Sequence, residues 1–124
     1  MELKTYYFDT YAFFEMISGN PAYRRFERDI ALLTSRFNLM ELYYGLVLKH
    51  GQSAAERYYG GFLKFCVEPD DETIKEAMIF RTRNKDLRLS YADCIGYTLA
   101  LKRRVKFLTG DNGFKDLPNV EFVK

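Results

Sequence analysis

The sequence predicts an α/β protein built on a parallel sheet, and three observations carry that prediction. Short runs of β-branched and aromatic residues alternate with segments of helical spacing along the whole chain. Capping-box patterns and Gly or Pro breaks punctuate the alternation at regular intervals. Two of the apolar runs stop abruptly at an acid, Asp9 and Asp111. Strands separated by helices need crossover connections, which make neighbouring strands parallel and put helices on both faces. No linker, repeat or low-complexity stretch interrupts the 124 residues, so residues 1–124 read as a single domain.

Thr5–Phe8 reads as a buried strand that ends at Asp9-Thr10. Tyr11, Phe14 and Ile17 then follow helical spacing until Gly19-Asn20-Pro21 breaks it. Residues 22–29 are charged and read as a short surface helix, and Ile30–Thr34 as a second strand. Phe37–His50 is the next helix, stopped by Gly51. Ser53-Ala54-Ala55-Glu56 matches a capping box, opening a helix to about Phe65, and Cys66–Glu68 forms a third strand closed by Pro69. Asp70 caps a helix through Asn84, and Ser90-Tyr91-Ala92-Asp93 is a second capping box opening a helix to about Arg104. Val105–Thr109 is the fourth strand and Val120–Val123 the fifth.

Composition narrows the function. Nineteen Lys and Arg against 17 Asp and Glu leave a net charge of +2, so no global field marks the chain as a nucleic-acid or membrane binder. A single histidine, His50, with Cys66 and Cys94 in apolar runs, cannot make a self-contained Cys/His zinc site, and the cysteines read as buried reduced thiols. The N-terminal stretch Met1–Asp9 has no apolar h-region, and no apolar run reaches ~18 residues, so a soluble cytoplasmic protein without membrane contact is expected. Neither G-x-G-x-x-G nor G-x-x-x-x-G-K-[ST] occurs, which removes dinucleotide and P-loop chemistry. A nucleophilic triad would have to rely on His50 at a helix end, and Asp9-Thr10-Tyr11 lacks the second acid of a phosphoaspartyl hydrolase.

The acids are the informative residues. Asp9 and Asp111 fall at the carboxyl ends of strands, where parallel sheets place their ligands. Glu41 is the only charge between Arg36 and Lys49, on a face shared with Phe37 and Tyr44, and Asp93 is the only charge between Arg88 and Lys102. A lone buried carboxylate costs several kcal/mol unless something compensates it. Singly, each has a structural explanation: Asp9 as a cap, Asp93 as the third residue of a capping box, Asp111 as part of a turn, Glu41 in a buried ion pair with an Arg from elsewhere. Together they point to a site for Mg²⁺ or Mn²⁺, hard cations that prefer oxygen ligands and assist phosphodiester displacement. Like charges so placed need a cation to stay ionised side by side. Asp116 is a further acid, which reads as a solvated loop charge.

Four segments carry a family resemblance: Tyr7-Phe8-Asp9-Thr10, Glu41-Leu42-Tyr43-Tyr44-Gly45, Leu89-Ser90-Tyr91-Ala92-Asp93 and Leu108-Thr109-Gly110-Asp111-Asn112-Gly113-Phe114. In order and spacing they resemble PIN domains, and the small size resembles the VapC toxins of VapBC toxin–antitoxin systems; Leu117-Pro118-Asn119-Val120 is similar to the family's ending. The resemblance implies a three-layer α/β/α fold with a five-stranded parallel sheet in the order 3-2-1-4-5, and Mg²⁺- or Mn²⁺-dependent endoribonuclease activity. It implies that Asp9, Glu41, Asp93 and Asp111 hold the metal, that Thr10 and Thr109 support them, and that Asn112 adds a hydrogen bond. A homodimer restrained by a VapB-type antitoxin is the expected assembly. Two positions depart from the pattern: Tyr97, where relatives often carry small residues, and Asn38, in place of Thr or an aliphatic residue.

An RNA substrate also needs cations outside the acidic centre. The candidates are Arg36, Arg81, Arg83 and Arg88, with Lys85 and the Lys102-Arg103-Arg104 run behind them; each is also an ordinary solvated helix end. Paired aromatics such as Tyr43-Tyr44 and Tyr58-Tyr59 are mostly core residues, with a surplus available for a dimer or antitoxin contact. Two other readings share the fold: an RNA-processing nuclease without an antitoxin, and a non-catalytic module that uses the cleft to bind protein.

Overall fold

The computed structural model describes residues 3–124; residues 1 and 2, part of the stretch read as lacking a leader, lie outside the described residues. Four strands, β1 (Lys4–Phe8), β2 (Ile30–Leu33), β3 (Lys106–Thr109) and β4 (Val120–Phe122), pair in parallel in the order β2-β1-β3-β4. Five helices connect them: α1 (Thr10–Ile17), α2 (Arg36–His50), α3 (Gln52–Phe62), α4 (Asp71–Arg83) and α5 (Tyr91–Arg103). Among the described residues no helix is long and apolar enough to cross a membrane.

Alternation along β1 builds the layers. Tyr6 and Phe8 enter one core with Phe13, Leu39, Leu42 and Leu46 of α1 and α2, and Tyr7 enters another with Cys94, Ile95 and Phe107. The central strand therefore buries both faces, as a parallel strand between helical layers must. α4 and α5 form an antiparallel pair, with Lys102 near the end of α5 bonded to Glu76 and Arg81 near the end of α4 bonded to Leu89 just before α5. The N-terminus of α5 therefore lies at the carboxyl ends of the strands and its C-terminus at the opposite end.

Three expectations are corrected. The third strand, Cys66–Glu68, shrinks to one parallel bridge between Thr34 and Cys66, so the sheet has four strands, not five. The bridge flanks β2, the edge that the order 3-2-1-4-5 assigns to it. Thr34 N–H donates to Phe65 O and Val67 N–H to Thr34 O, and pairing ends there because Pro69 follows and lacks an amide donor. Within residues 22–29 the short surface helix is a 3₁₀ helix, Pro21–Phe26, which exposes Arg24 and Arg25 but buries Tyr23 and Phe26 and ends before residue 27. The capping box at Ser53 does not form either. Gly51, at φ +87°, is the whole joint between α2 and α3, so α3 starts at Gln52 and Ser53 is already inside its first turn.

α3 ends at Phe62, three residues before the expected Phe65, and a 3₁₀ turn at Leu63–Phe65 completes the segment. The other boundaries agree within two residues, and two caps are as read. Asp70 accepts from Thr73 N–H at 2.8 Å, and Ser90 and Asp93 form a reciprocal capping box. Both cysteines are free thiols; Cys94 is buried, which pushes its thiol up to about 11, and Cys66 is half-buried.

Candidate acidic centre

β1 delivers Asp9 to the carboxyl edge of the sheet, directly ahead of α1, where it is 1% exposed. Its Oδ2 accepts from Thr109 Oγ1 at 2.7 Å, across from the end of β3. Its Oδ1 accepts from Asn38 Nδ2 at 3.4 Å. Thr109 also accepts from Asp111 N–H at 3.1 Å, so one hydroxyl joins the two strand-end acids.

Glu41 reaches the same region from the second turn of α2. Its Oε1 accepts from Thr10 Oγ1 at 3.0 Å, and it is half-buried. The face it occupies opens to solvent rather than into an aromatic core, since Tyr44 is 69% exposed. Asp93 enters from the first turn of α5, held by Ser90 N–H at 2.8 Å through Oδ2. Its capping role and its place near the other acids therefore coexist. Asp111 accepts from Gly113 N–H at 2.9 Å and opens a 3₁₀ turn at Asn112–Phe114.

The acids act on one another through their fields. Burial first, and then the charge of Asp93, hold the Asp9 carboxyl well above the usual carboxylate range; the Thr109 hydroxyl and Thr10 amide oppose this, and Asp111 adds to it. Asp93 is pushed up to about 6 by burial, against the pull of the Ser90 amide, with Glu41 and Asp111 adding to the rise. All four predicted acids thus share one electrostatic neighbourhood. Among the described residues, however, no three His, Cys, Asp or Glu side chains are gathered into a ready chelate.

Thr10 and Thr109 support acids as expected, but Asn112 does not. It is exposed, and its Oδ1 accepts from Lys124 Nζ at 3.1 Å. Arg36 is exposed and paired with Glu68 at 3.1 Å. Arg81 donates from Nε to Leu89 O at 3.0 Å, and Arg83 and Arg88 are exposed. Arg36 opens α2, Arg81 and Arg83 end α4, and Arg88 lies between α4 and α5. Lys102, Arg103 and Arg104 lie at the far end of α5, about 14–17 Å from Asp93 by helix rise, and cannot hold a strand at the acids.

Asn38, noted in the sequence only as a departure from the family's pattern, has a role there that sequence reasoning missed. It is fully buried, and its amide donates to Asp9 Oδ1 and, at 3.2 Å, to Thr10 Oγ1. Its carbonyl accepts from Tyr7 OH at 2.6 Å and from Ser35 Oγ at 3.4 Å. One amide therefore ties β1 to α2 and indirectly joins Asp9 to Glu41. The available signal was its place three residues before Glu41, on the same helical face. Gly96 makes room for this hub: a Cβ there would lie 2.8 Å from Tyr7 Cε1 and 3.0 Å from Asn38 Oδ1.

The fold is similar to that of VapC20 of Mycobacterium tuberculosis, a sarcin–ricin loop cleaving toxin, at 17% identity and a TM-score of 0.79 over 96% of this chain and 99% of that one. It is also similar to the DNA-bound VapBC of Salmonella typhimurium, at 20% identity and a TM-score of 0.71 over 98% of each chain. A toxin–antitoxin complex from Klebsiella pneumoniae matches at 18% identity and a TM-score of 0.70, over 92% of this chain and 93% of that one. Identities this low establish likeness of fold, and no curated protein matches the chain. Residues 6–120, nearly its whole length, match the model of the PIN domain, and the chain belongs to that family.

Proposed function

We propose that this protein is a divalent-metal-dependent endoribonuclease of the VapC toxin type, acting in the cytoplasm as one PIN unit. The observation that carries the reading is the shared electrostatic neighbourhood of Asp9, Glu41, Asp93 and Asp111, from β1, α2, α5 and the loop after β3: the Asp93 and Asp111 charges raise the proton affinity of Asp9, and those of Glu41 and Asp111 raise that of Asp93. Such a set suits Mg²⁺ or Mn²⁺ by its chemistry: every donor is a carboxylate oxygen, and the mutual repulsion is what a divalent cation relieves. The four acids would hold the ion, which supplies Lewis-acid assistance at a scissile phosphodiester.

The chain's own residues do the rest. Thr109 and Asn38 fix Asp9 through both carboxylate oxygens, and Thr10 fixes Glu41. Ser90 orients Asp93. Arg36, Arg81, Arg83 and Arg88 would meet flanking phosphates. The exposed Met40, Tyr44 and Leu48 form an apolar stripe along α2 beside Glu41, which suits the helix of a VapB-type antitoxin. The toxin–antitoxin complexes among the fold neighbours support that partner, and a homodimer is part of the same proposal.

The test is cleavage of a mixed RNA pool with Mg²⁺, Mn²⁺ or EDTA, with Glu41→Gln beside the wild type. Glu41 suits this purpose because it accepts one bond from Thr10 and caps no helix. Metal-dependent cutting that the variant lacks supports the reading. Equal cutting by the variant, or cutting in EDTA, overturns it.

A further inference from the structure

Tyr91 is the first residue of α5, two before Asp93, and is 63% exposed. Of the ten tyrosines only Tyr44 is comparably exposed, and the two have opposite surroundings. Tyr44 lies in an apolar stripe. Tyr91 lies against a cation: the Arg81 guanidinium sits over its ring, 4.4 Å from the centroid. Arg81 is itself anchored through Nε to Leu89 O at 3.0 Å, so the ring is buttressed before any ligand arrives. From residue 81 to 91 the chain carries Arg81, Arg83, Lys85 and Arg88 against Asp86 alone. Among the described residues none of these cations enters a salt bridge.

An exposed ring stiffened by a cation, among positive charges outside any salt bridge and on the helix turn that carries Asp93, fits a ligand with phosphates and an open π-face. We propose that Tyr91, backed by Arg81, is a stacking subsite for an unpaired base of the RNA. This inference rests on the nuclease reading. Residues two apart on a helix diverge by about 200°, so Tyr91 and Asp93 leave α5 on opposite sides. The stacked base therefore belongs to a nucleotide beyond the scissile one, and the contact acts on binding more than on the bond-breaking step. A duplex keeps its bases stacked inside and cannot use the ring.

The experiment measures binding of a fluorescein-labelled, mixed-sequence single-stranded oligoribonucleotide in EDTA. It compares wild type, Tyr91→Phe and Tyr91→Ala, with the same oligonucleotide as a duplex, cleavage kinetics in Mn²⁺, and solution mass and melting temperature for each protein. Tyr91→Ala should weaken single-strand binding by roughly five- to a hundredfold and raise KM more than it lowers kcat, while Tyr91→Phe stays within about threefold of wild type. Wild-type affinity in a folded Tyr91→Ala, equal affinity for the duplex, or a Tyr91→Ala whose solution mass changes while its RNA affinity does not, overturns the subsite. The last result would make this face a contact between copies. A wild-type protein that neither binds nor cuts RNA sinks the nuclease reading and the subsite with it.

Discussion

Thr109 and Asp9 are joined by a 2.7 Å hydrogen bond across the carboxyl edge of the sheet, and the same Thr109 oxygen accepts from the Asp111 amide. The hydroxyl proton is committed to Asp9, which leaves the lone pair for Asp111, so the register of β1 against β3 is read directly into the spacing of two acids. Thr109→Val keeps the volume and removes both bonds at a fully buried position. The expected loss is about 1–3 kcal/mol of stability, since buried polar groups are left without partners. Weaker Mn²⁺ binding should accompany it, and Thr109→Ser should restore both. Urea denaturation and calorimetric titration with Mn²⁺ check this, and a Thr109→Val protein with wild-type values in both would refute it.

The raised carboxyls of Asp9 and Asp93 have a signed consequence. A carboxyl whose proton affinity is higher in the folded state stabilises the fold below the unfolded value near 4, and that contribution is lost as pH rises through the folded value, about 6 for Asp93. In EDTA the protein should therefore become less stable as pH climbs from about 4 to 7. Asp70 works the other way, because its bonds from Thr73 hold it below the usual range, but its effect lies at the acid end of that window. Asp9→Asn should flatten the slope and raise the melting temperature at pH 7.5 without metal. Mn²⁺ should raise the wild-type melting temperature more at pH 7.5 than at pH 5, since the ionised acids bind it. Melting curves across pH with and without Mn²⁺ decide the matter, and a flat wild-type profile in EDTA contradicts the assignment.

How much of this was legible depends on whether a residue's role was local. Asp9 and Asp111 were readable because each ends an apolar run, and Glu41 because it is a lone charge in a long helix. The capping box at Ser90 was readable because its partners are three residues apart, whereas the match at Ser53 failed because Gly51 alone turns the chain from α2 into α3. Cys66–Glu68 looks like a strand by composition, but Pro69 and the preceding turn leave it one bridge. Asn112 looked like a support for the acids, yet Lys124, distant in sequence, takes its side chain. Asn38 was noticed only as a departure, because its partners Tyr7, Asp9 and Thr10 all come from the β1–α1 segment about 30 residues earlier.

That hub yields a graded prediction. Asn38→Leu removes an amide that serves Tyr7, Asp9 and Thr10 in a fully buried setting, and should cost more than about 2 kcal/mol. Asn38→Asp keeps the shape but places another acid against Asp9. It should be destabilised at pH 7.5 in EDTA and recover part of the loss at pH 5, where protonation removes the repulsion. Denaturation of both variants at the two pH values tests this; a pH-independent loss for Asn38→Asp would mean that packing, not charge, sets the cost.

Gly96 sets how closely α5 approaches the hub. An alanine there gains helix propensity worth about 1 kcal/mol, which by itself would stabilise α5. Its methyl, however, would lie 2.8 Å from Tyr7 Cε1 and 3.0 Å from Asn38 Oδ1. Tyr7 is fully buried and stacked on Phe107, with its hydroxyl held by Asn38, so the ring has nowhere to go. α5 must move outward instead, at a cost of about 1–3 kcal/mol that outweighs the propensity gain. Because Asp93 rides on the same helix, the shift also draws it away from Asp9. Gly96→Ala should therefore melt lower than wild type and bind Mn²⁺ more weakly, whereas Gly60→Ala, in an open helical position, should leave Mn²⁺ binding unchanged. Equal melting temperatures for Gly96→Ala and wild type would show that the packing of α5 against β1 has slack that this contact geometry denies.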